Sequence, residues 1–370
     1  MVAKNAAPSG FQGRNDMKTL MGALLTSAIA MPALAQEVIP LTIASSHPTV
    51  IPWVGMMQTH FMAKTDEILA EAGEYEIDWQ EAFGGTLYKA NATLSSVEDG
   101  ITDVGWVFSM LEGGQLPLSQ VSSYTPFTTN NPPTQLEVMQ ELLETNEDFR
   151  NEWEQYNLVV LGLTGTDIYD IYTSSPIDSI DDLDGMKISA PGALANWLRG
   201  TGANAVDGSL TTYYTDIQTG VSDGVISIAL GILPSKVYEV APYVTRVRMG
   251  SAFSGAIAIN RDSWDALPEP VQDAMMEAGA YYTEAHGQDL LTRHEAALQA
   301  IVEQGAGQAE PVTIFELPEE ERAQWVAGLP DIGGDWAAEN GEAAGAFLDA
   351  YMAALKARGE EPLRDWGADG

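Results

Sequence analysis

Short apolar runs alternate along the chain with longer segments in which apolar residues recur at helical spacing. Residues 38–44 and 104–108 are apolar runs of strand length, and residues 75–79 alternate between apolar and polar side chains as a half-buried strand does. Residues 55–72 and 92–100 have the apolar spacing of amphipathic helices. Strand–helix–strand order with these lengths indicates βαβ units on a parallel sheet.

The same pattern returns in the second half of the chain. A helix at 134–156 leads to an apolar strand at 158–163, which we predict to begin a second α/β set. Residues 268–304 are almost continuously helical, which is long enough to bridge two lobes. The other predicted strands and helices of this half lie at residues 171–173, 187–189, 224–228 and 254–259 and at residues 193–199 and 213–219.

No linker rich in serine and glycine divides the chain, so two lobes would have to share chain crossings. We predict lobe I at residues 36–158 and 250–285, and lobe II with the C-terminal helices at residues 159–249 and 286–370. This is the plan of a hinged α/β receptor with a ligand cleft between its lobes.

The first 35 residues have the pattern of a secretory signal peptide. A positively charged start at Met17 precedes an apolar run at residues 20–31, and a small-x-small cleavage pattern, Ala-Leu-Ala, precedes Gln36. The run is too short to span a membrane. Residues 1–16 come before this better start and look like a mis-assigned or non-native start. We therefore expect export to the periplasm, cleavage just before Gln36 and no stable membrane insertion.

Charge and composition narrow the possible functions. The chain has 370 residues, of which 45% are hydrophobic, and its 53 acidic against 17 basic residues give a formal net charge of -36. A polyanion of this kind is excluded as a nucleic-acid binder that reads phosphates. It is also poorly suited to adhere to an anionic membrane surface. The absence of cysteine excludes disulfide scaffolds, thiol catalysis and cysteine metal sites.

No motif for catalysis or for a cofactor stands out. The four histidines, His47, His60, His286 and His294, form no metal-binding motif, and the pairs of glycines lack the context of a nucleotide-binding loop. We therefore predict no metal, no cofactor and no enzyme activity. A pair of catalytic carboxylates is created by the fold and not by local spacing, so an exported acidic hydrolase stays open as an alternative.

Five segments in a fixed order carry a resemblance to a known family. They read LDGMKISAPG at residues 183–192, TGANAV at 201–206, YTDIQTGVSDG at 214–224, KVYEVAPYVT at 236–245 and AINRDSWDALP at 258–268. Together with a His-Pro pair after the first strand, they resemble the solute receptors of tripartite ATP-independent periplasmic (TRAP) transporters. The resemblance implies a two-lobe periplasmic binding protein fold, a small-molecule solute and delivery to membrane permease subunits driven by an ion gradient.

The chain departs from this family at the positions that the resemblance marks as ligand-binding. The arginine that usually grips the ligand's carboxylate falls on Ser189, and a second common arginine falls on Tyr169. Other family site positions fall near Ser227, Phe108 and Lys89. A buried carboxylate without a guanidinium partner is poorly paired, at a cost of roughly 3–5 kcal/mol. We therefore disfavour a simple dicarboxylate or a sugar acid as the ligand.

Aromatic side chains favour a cationic group in the ligand instead. Trp106 and Phe108 lie two apart on a strand and share one face, a pattern more typical of core than of a ligand site. We predict a small amine, a quaternary-ammonium or sulfonium compound, or a zwitterion whose acidic end meets Lys89. A carboxylate ligand paired with Arg199, Arg248 or Lys89 is the alternative. The predicted ligand-binding residues are Trp53, Lys89, Trp106, Phe108, Tyr169, Ser189, Tyr213 and Ser227.

Overall fold

Two mixed β-sheets organise residues 36–367, the part of the chain that this computed structural model describes. The predicted signal peptide at residues 1–35 lies outside the described residues. The strands of the described residues are β1 Glu37–Ala44, β2 Tyr75–Ala82, β3 Val104–Val107, β4 Leu158–Gly165, β5 Tyr169–Thr173, β6 Lys187–Ala190, β7 Asn204–Asp207, β8 Gly224–Ile228, β9 Tyr243–Arg246, β10 Phe253–Asn260 and β11 Thr313–Glu316.

Each sheet forms the centre of one lobe. The first sheet has the order β2-β1-β3-β10-β4, in which β1 pairs in parallel with β2 and β3, and β10 is antiparallel to both of its neighbours. The second sheet has the order β11-β9-β5-β8-β6-β7, in which β6 is parallel to β7 and β8, and β5 is antiparallel to β8 and β9. This architecture confirms the predicted two-lobe α/β fold.

Helices cover the sheets and continue to the C-terminal end of the described residues. They are α1 Pro52–Met56, α2 Ala63–Ala72, α3 Thr93–Glu98, α4 Pro132–Thr145, α5 Glu147–Glu154, α6 Tyr213–Gln218, α7 Ala229–Ser235, α8 Arg261–Asp265, α9 Glu269–Gly305, α10 Glu319–Gly328, α11 Ile332–Asn340 and α12 Glu342–Ala357. A π-helical segment, Met57–Met62, joins α1 to α2. Among residues 36–367, no helix combines the length and the apolar character that a membrane crossing requires.

The long helix predicted at 134–156 is two helices, because Asn146 interrupts it. The side chain of Asn146 accepts a hydrogen bond from the backbone N–H of Phe149 at 2.9 Å and so caps the N-terminus of α5. Asn146 itself has extended backbone geometry, which ends α4. Spacing of apolar residues across both helices is continuous enough to hide this break.

Among residues 36–367, two short chain crossings and one long helix connect the lobes, and the chain returns to the first lobe once more between β11 and α12. The crossings are residues 166–168, between β4 and β5, and residues 247–252, between β9 and β10. The 37-residue helix α9 contacts β4 and α4 of the first lobe and α7 of the second lobe, which confirms the predicted bridging helix. The strand predicted at 158–163 as the start of the second set instead pairs with β10 in the first sheet.

The C-terminal helices contact both lobes, since the indole N–H of Trp325 in α10 donates to the carbonyl oxygen of Trp197 in the second lobe at 2.8 Å. Helix α12 lies against α4, and the Tyr351 hydroxyl donates a hydrogen bond to Oε1 of Gln135 at 2.6 Å. The predicted lobe boundaries stay a prediction, and α12 is a part of this region that contacts the first lobe. Every residue of β10, the strand between β3 and β4, is buried.

Candidate functional site

A small cavity lies between the lobes, where the carboxyl ends of β1, β3, β6 and β8 meet. Open α/β sheets place ligands at this edge, because the loops that follow the parallel strands converge there. The side chains around the cavity leave about 30 Å³, which is room for about two water molecules. Its lining residues are His47, Trp53, Trp106, Phe108, Met110, Thr166, Tyr169, Pro191, Ser209, Leu210, Tyr213, Ser227, Ile228 and Ser254.

Six of the eight predicted site residues line this cavity. The first lobe contributes Trp53 from α1, Trp106 from β3 and Phe108 from the residue after β3. The second lobe contributes Tyr169, Tyr213 and Ser227, from β5, α6 and β8. Their role in ligand binding stays a prediction.

The first-lobe wall of the cavity is a cluster of four rings. Trp106 and Phe108 stack at 5.1 Å between ring centroids, and the His47 ring stands edge-on to both, at 5.1 and 5.8 Å. The Trp53 ring lies 5.8 Å from that of Trp106. The indole N–H of Trp106 donates to Oγ1 of Thr164 at 2.9 Å, which fixes the orientation of the ring. Trp106 and Phe108 are thus buried and yet face a cavity.

The second-lobe wall carries two tyrosines. The Tyr169 ring packs edge-on against Trp197 at 5.3 Å, and its hydroxyl lies 3.7 Å from Sδ of Met110 in the opposite lobe. Burial raises the pKa of Tyr169, and the charge of Asp167 raises it further. Burial likewise raises the pKa of Tyr213. Both phenols therefore stay neutral and can only donate or accept hydrogen bonds.

The lining is uncharged. Among residues 36–367, no Arg, Lys, Asp or Glu lines the cavity. Burial lowers the pKa of His47 to about 4, so the imidazole is neutral at pH 7. No group of three or more His, Asp or Glu in the described part of the chain is arranged to hold a metal ion.

The two carboxylates beside Tyr169 point away from the lining and are paired. Oδ2 of Asp167 lies 2.9 Å from Nδ1 of His294 and accepts the backbone N–H of Leu230 at 3.2 Å. Oδ2 of Asp170 lies 3.8 Å from Nε of Arg246. Both carboxylates are fully buried. Asp167 thus connects the chain crossing at residues 166–168 to α9, and Asp170 pairs with an arginine of β9 in the second sheet.

Lys89 and Ser189 do not line the cavity. Lys89 borders a groove of about 340 Å³ at the mouth of the cleft, which shares Ser209 with the cavity. Its ammonium group donates to the carbonyl oxygen of Gly85 at 2.6 Å. Ser189 is buried in β6 behind Gly208, and its hydroxyl has no hydrogen-bond partner among the described residues.

The two arginines considered as substitute carboxylate partners are also outside the cavity. Arg199 lies 3.7 Å from Asp335, and its side chain is 48% exposed. Arg248 lies 3.0 Å from Glu316, and its side chain is 46% exposed. Neither guanidinium contributes to the lining of the cavity.

His47 is the most informative lining residue that the sequence analysis did not select. It follows the carboxyl end of β1, the type of position where α/β sheets collect ligand-binding residues, and this placement was the available signal. Thr166 follows the carboxyl end of β4 and could have been found in the same way. Ser254 lies at the amino end of β10, which reaches the same edge of the sheet because β10 is antiparallel to its neighbours. Met110 and Leu210 carry no such signal, because apolar residues in loops are common.

The chain is similar over most of its length to known solute-binding proteins. The family model of bacterial extracellular solute-binding proteins, family 7, matches residues 52–333. The C4-dicarboxylate-binding periplasmic protein DctP of Rhodobacter capsulatus is 25% identical over 327 residues, which cover 86% of this chain and 92% of that protein. The ectoine-binding periplasmic protein TeaA of Halomonas elongata is 25% identical over 278 residues, covering 74% and 79%.

Solved structures agree on the fold. A TRAP solute-binding protein from Rhodoferax ferrireducens, solved in complex with copurified benzoate, superposes with a TM-score of 0.74 at 20% identity and covers 86% of this chain and 98% of that one. Fold, motif order and family match lead to one assignment. The chain belongs to family 7 of the bacterial extracellular solute-binding proteins, the solute receptors of TRAP transporters.

Proposed function

We propose that this protein is a periplasmic receptor that binds a small solute with a positively charged nitrogen or sulfur centre and delivers it to a TRAP permease. The observation that carries the proposal is the cavity wall, which has six aromatic side chains, His47 among them, and no Arg or Lys among the described residues. The predicted signal peptide and the periplasmic relatives support the location. Because the cavity has room for only about two water molecules, the lobes would separate to admit the solute, and its contacts with both walls would then favour the closed arrangement that the permease recognises.

Ring faces and missing arginines favour the same class of ligand. A cation over an aromatic face gains about 2 kcal/mol or more when it is desolvated. A lone carboxylate in this cavity would meet no guanidinium and no ammonium, so its lost hydration would be poorly replaced. The relative named for binding ectoine supports a ligand other than a dicarboxylate.

A carboxylate ligand is the second candidate, and Lys89 is the observation that favours it. Its ammonium group borders the groove at the mouth of the cleft, and Ser209 connects this groove to the cavity. A ligand long enough to reach from the rings to Lys89 would have a cationic partner there. The relative named for C4-dicarboxylates belongs to this class of receptor.

Isothermal titration calorimetry on the protein from Gln36 onward would test the proposal. The panel is ethanolamine, choline, tetramethylammonium and glycine betaine against succinate and benzoate. We expect binding of one or more of the first four, with a melting temperature that rises with concentration and a solute that is recovered unchanged. Binding of succinate or benzoate alone would favour the second candidate, and conversion of a solute would favour an enzyme.

A matched pair of variants would locate the binding. Phe108→Leu removes a ring from the cavity and keeps an apolar side chain of similar size, and we expect it to weaken binding of the cation about 30-fold. Phe315→Leu makes the same change on the exposed edge strand β11 and should leave the affinity unchanged. Equal affinities of the two variants would contradict binding in the aromatic cavity.

A further inference from the structure

Trp53 presents an unusual polar group at the cavity. Its side chain is 4% exposed and lines the space between the lobes, yet its indole N–H has no hydrogen-bond acceptor among the described residues. The backbone of Trp53 is held in place, because its carbonyl oxygen accepts the Tyr282 hydroxyl of α9 at 2.9 Å. The ring therefore has a fixed base and an unused donor.

The other buried indoles show how unusual this is at the cavity. The N–H of Trp106 donates to Thr164 at 2.9 Å, that of Trp197 to Ser123 at 2.7 Å, and that of Trp325 to the carbonyl oxygen of Trp197 at 2.8 Å. Trp336 also lacks an acceptor among residues 36–367, but it lies in α11, stacks on Tyr124 and does not line the cavity. Among the tryptophans of residues 36–367, Trp53 alone combines an unpaired N–H with a place in the lining.

A buried donor without an acceptor is unfavourable, and a ligand that supplies the acceptor removes this penalty. The acceptor must be a ligand oxygen close to the group that the rings bind, because Trp53 is part of the same ring cluster as His47 and Trp106. A bare amine or a tetraalkylammonium ion carries no such oxygen.

The uncharged lining adds a second constraint. Transfer of net charge from water into a buried, uncharged site is costly, whereas a ligand whose charges cancel avoids much of that cost. A zwitterion brings its own counter-ion, so its carboxylate needs hydrogen-bond donors more than it needs an arginine. The lining offers such donors in the indole of Trp53 and the hydroxyls of Tyr213 and Ser227.

Resting on the proposed function, we infer that the ligand is a compact zwitterion with an alkylated cationic centre, and that Trp53 is the specificity residue whose indole N–H donates to a carboxylate oxygen of this ligand. The rings select the cationic centre, and Trp53 selects the oxygen beside it. The chemical class is that of betaines and their sulfonium or cyclic analogues.

Calorimetry with glycine betaine and tetramethylammonium would test this, because the two ions share the methylated nitrogen and differ in the carboxylate. The measured quantity is the ratio of their dissociation constants. For the wild-type protein we expect glycine betaine to bind at least tenfold more tightly. Trp53→Phe keeps a ring and removes the N–H, and we expect it to reduce this preference about tenfold to hundredfold. Trp336→Phe removes an unpaired indole N–H outside the cavity and should preserve the preference.

The outcomes separate this inference from the function on which it rests. An unchanged ratio in Trp53→Phe would overturn the role of Trp53 and leave the cation receptor intact. If the wild type binds ethanolamine or choline but neither of these two ions, this inference fails while the proposed function stands, and binding of none of the four means that both fail. Should Trp53→Phe not fold, the indole ¹⁵N–¹H resonances of the wild type decide. Of the nine tryptophans, the Trp53 signal should move downfield with glycine betaine and not with tetramethylammonium, and no movement would overturn the inference.

Discussion

At the residue scale, His47 sets the electrostatic character of the cavity. Its ring is packed against Trp106 and Phe108, and its Nδ1 lies 3.0 Å from the hydroxyl of Ser46. Burial without a carboxylate partner lowers the pKa of His47 to about 4. A neutral imidazole is compatible with a cationic or zwitterionic ligand, whereas an imidazolium would repel the cationic centre.

We expect His47 to make the folded state less stable in acid. Between pH 6.5 and pH 4 the unfolded chain binds a proton at this histidine that the folded chain does not, so the free energy of unfolding falls as the pH falls through this window. Across the whole window the effect is about 3 kcal/mol. Urea unfolding of the wild type and of His47→Gln, at pH 7 and at pH 4, would measure it.

The His47→Gln variant is needed as a reference, because buried acids change the free energy of unfolding with pH in the opposite direction to His47. Burial raises the pKa of Asp170 to about 6 and that of Glu152 to about 7, so their contributions increase as the pH falls. Subtracting the variant's free energy of unfolding from the wild type's cancels these contributions. A difference that is the same at pH 7 and pH 4 would mean that folding does not lower the pKa of His47.

At the scale of elements, one carboxylate fixes the start of a segment that is hydrogen-bonded to both lobes. The oxygens of Glu152 in α5 accept the backbone N–H groups of Leu118 and Ser119 and the hydroxyl of Ser119. These donors open the 3₁₀-helical segment Leu118–Tyr124. The same segment binds both lobes, since its Ser122 hydroxyl accepts the N–H of Phe253 and its Ser123 carbonyl accepts the indole of Trp197.

Glu152→Ala should therefore lower the free energy of unfolding by about 2–4 kcal/mol, because it leaves three buried donors without an acceptor. Glu154→Ala is the matched control on the same helix. Glu154 is exposed and pairs with Arg261 at 3.5 Å, so its removal should cost less than about 1 kcal/mol. Urea unfolding monitored by circular dichroism would compare the two. Equal losses would mean that the three hydrogen bonds add nothing beyond surface charge.

At the scale of the whole molecule, the sequence predicts what local patterns and motif order encode. The bridging helix and most strands of both sheets follow from apolar spacing, because burial forces that spacing. The assignment of the strand at 158–163 to the second α/β set was wrong, since a buried strand carries no mark of the sheet it joins. The edge strands β7 and β11 were not predicted, because their largely exposed residues lack an apolar face.

The cavity could be predicted less completely than the fold. Family motifs and aromatic residues led to six of the lining residues. A spacing of two residues along a strand shows that Trp106 and Phe108 share a face, but it does not show whether that face meets a cavity or the core. The neutral state of His47 and the unpaired N–H of Trp53 depend on which groups lie near them in space. Only the folded arrangement contains that information.

The two lobes approach each other closely beside the cavity lining, next to Pro191 and Met110. Gly192 follows β6 in the second lobe, and a Cβ on this residue would overlap the carbonyl oxygen of Met110, which follows β3 in the first lobe. Gly192 has a φ of +50°. A side chain at this position would project directly onto the Met110 carbonyl and hold the lobes apart.

We expect Gly192→Ala to disfavour the closed arrangement by about 1–3 kcal/mol and so to weaken ligand binding roughly fivefold to 150-fold. The control is Gly220→Ala, because Gly220 also has a left-handed φ, +74°, while a Cβ there would meet no atom within 4 Å. Both variants carry the same kind of backbone strain, so their melting temperatures should fall by similar amounts. Only Gly192→Ala should lose affinity in calorimetry and show a larger radius of gyration by small-angle X-ray scattering when ligand is present. Equal affinities of the two variants would mean that the lobes close on the ligand without the contact between Gly192 and Met110.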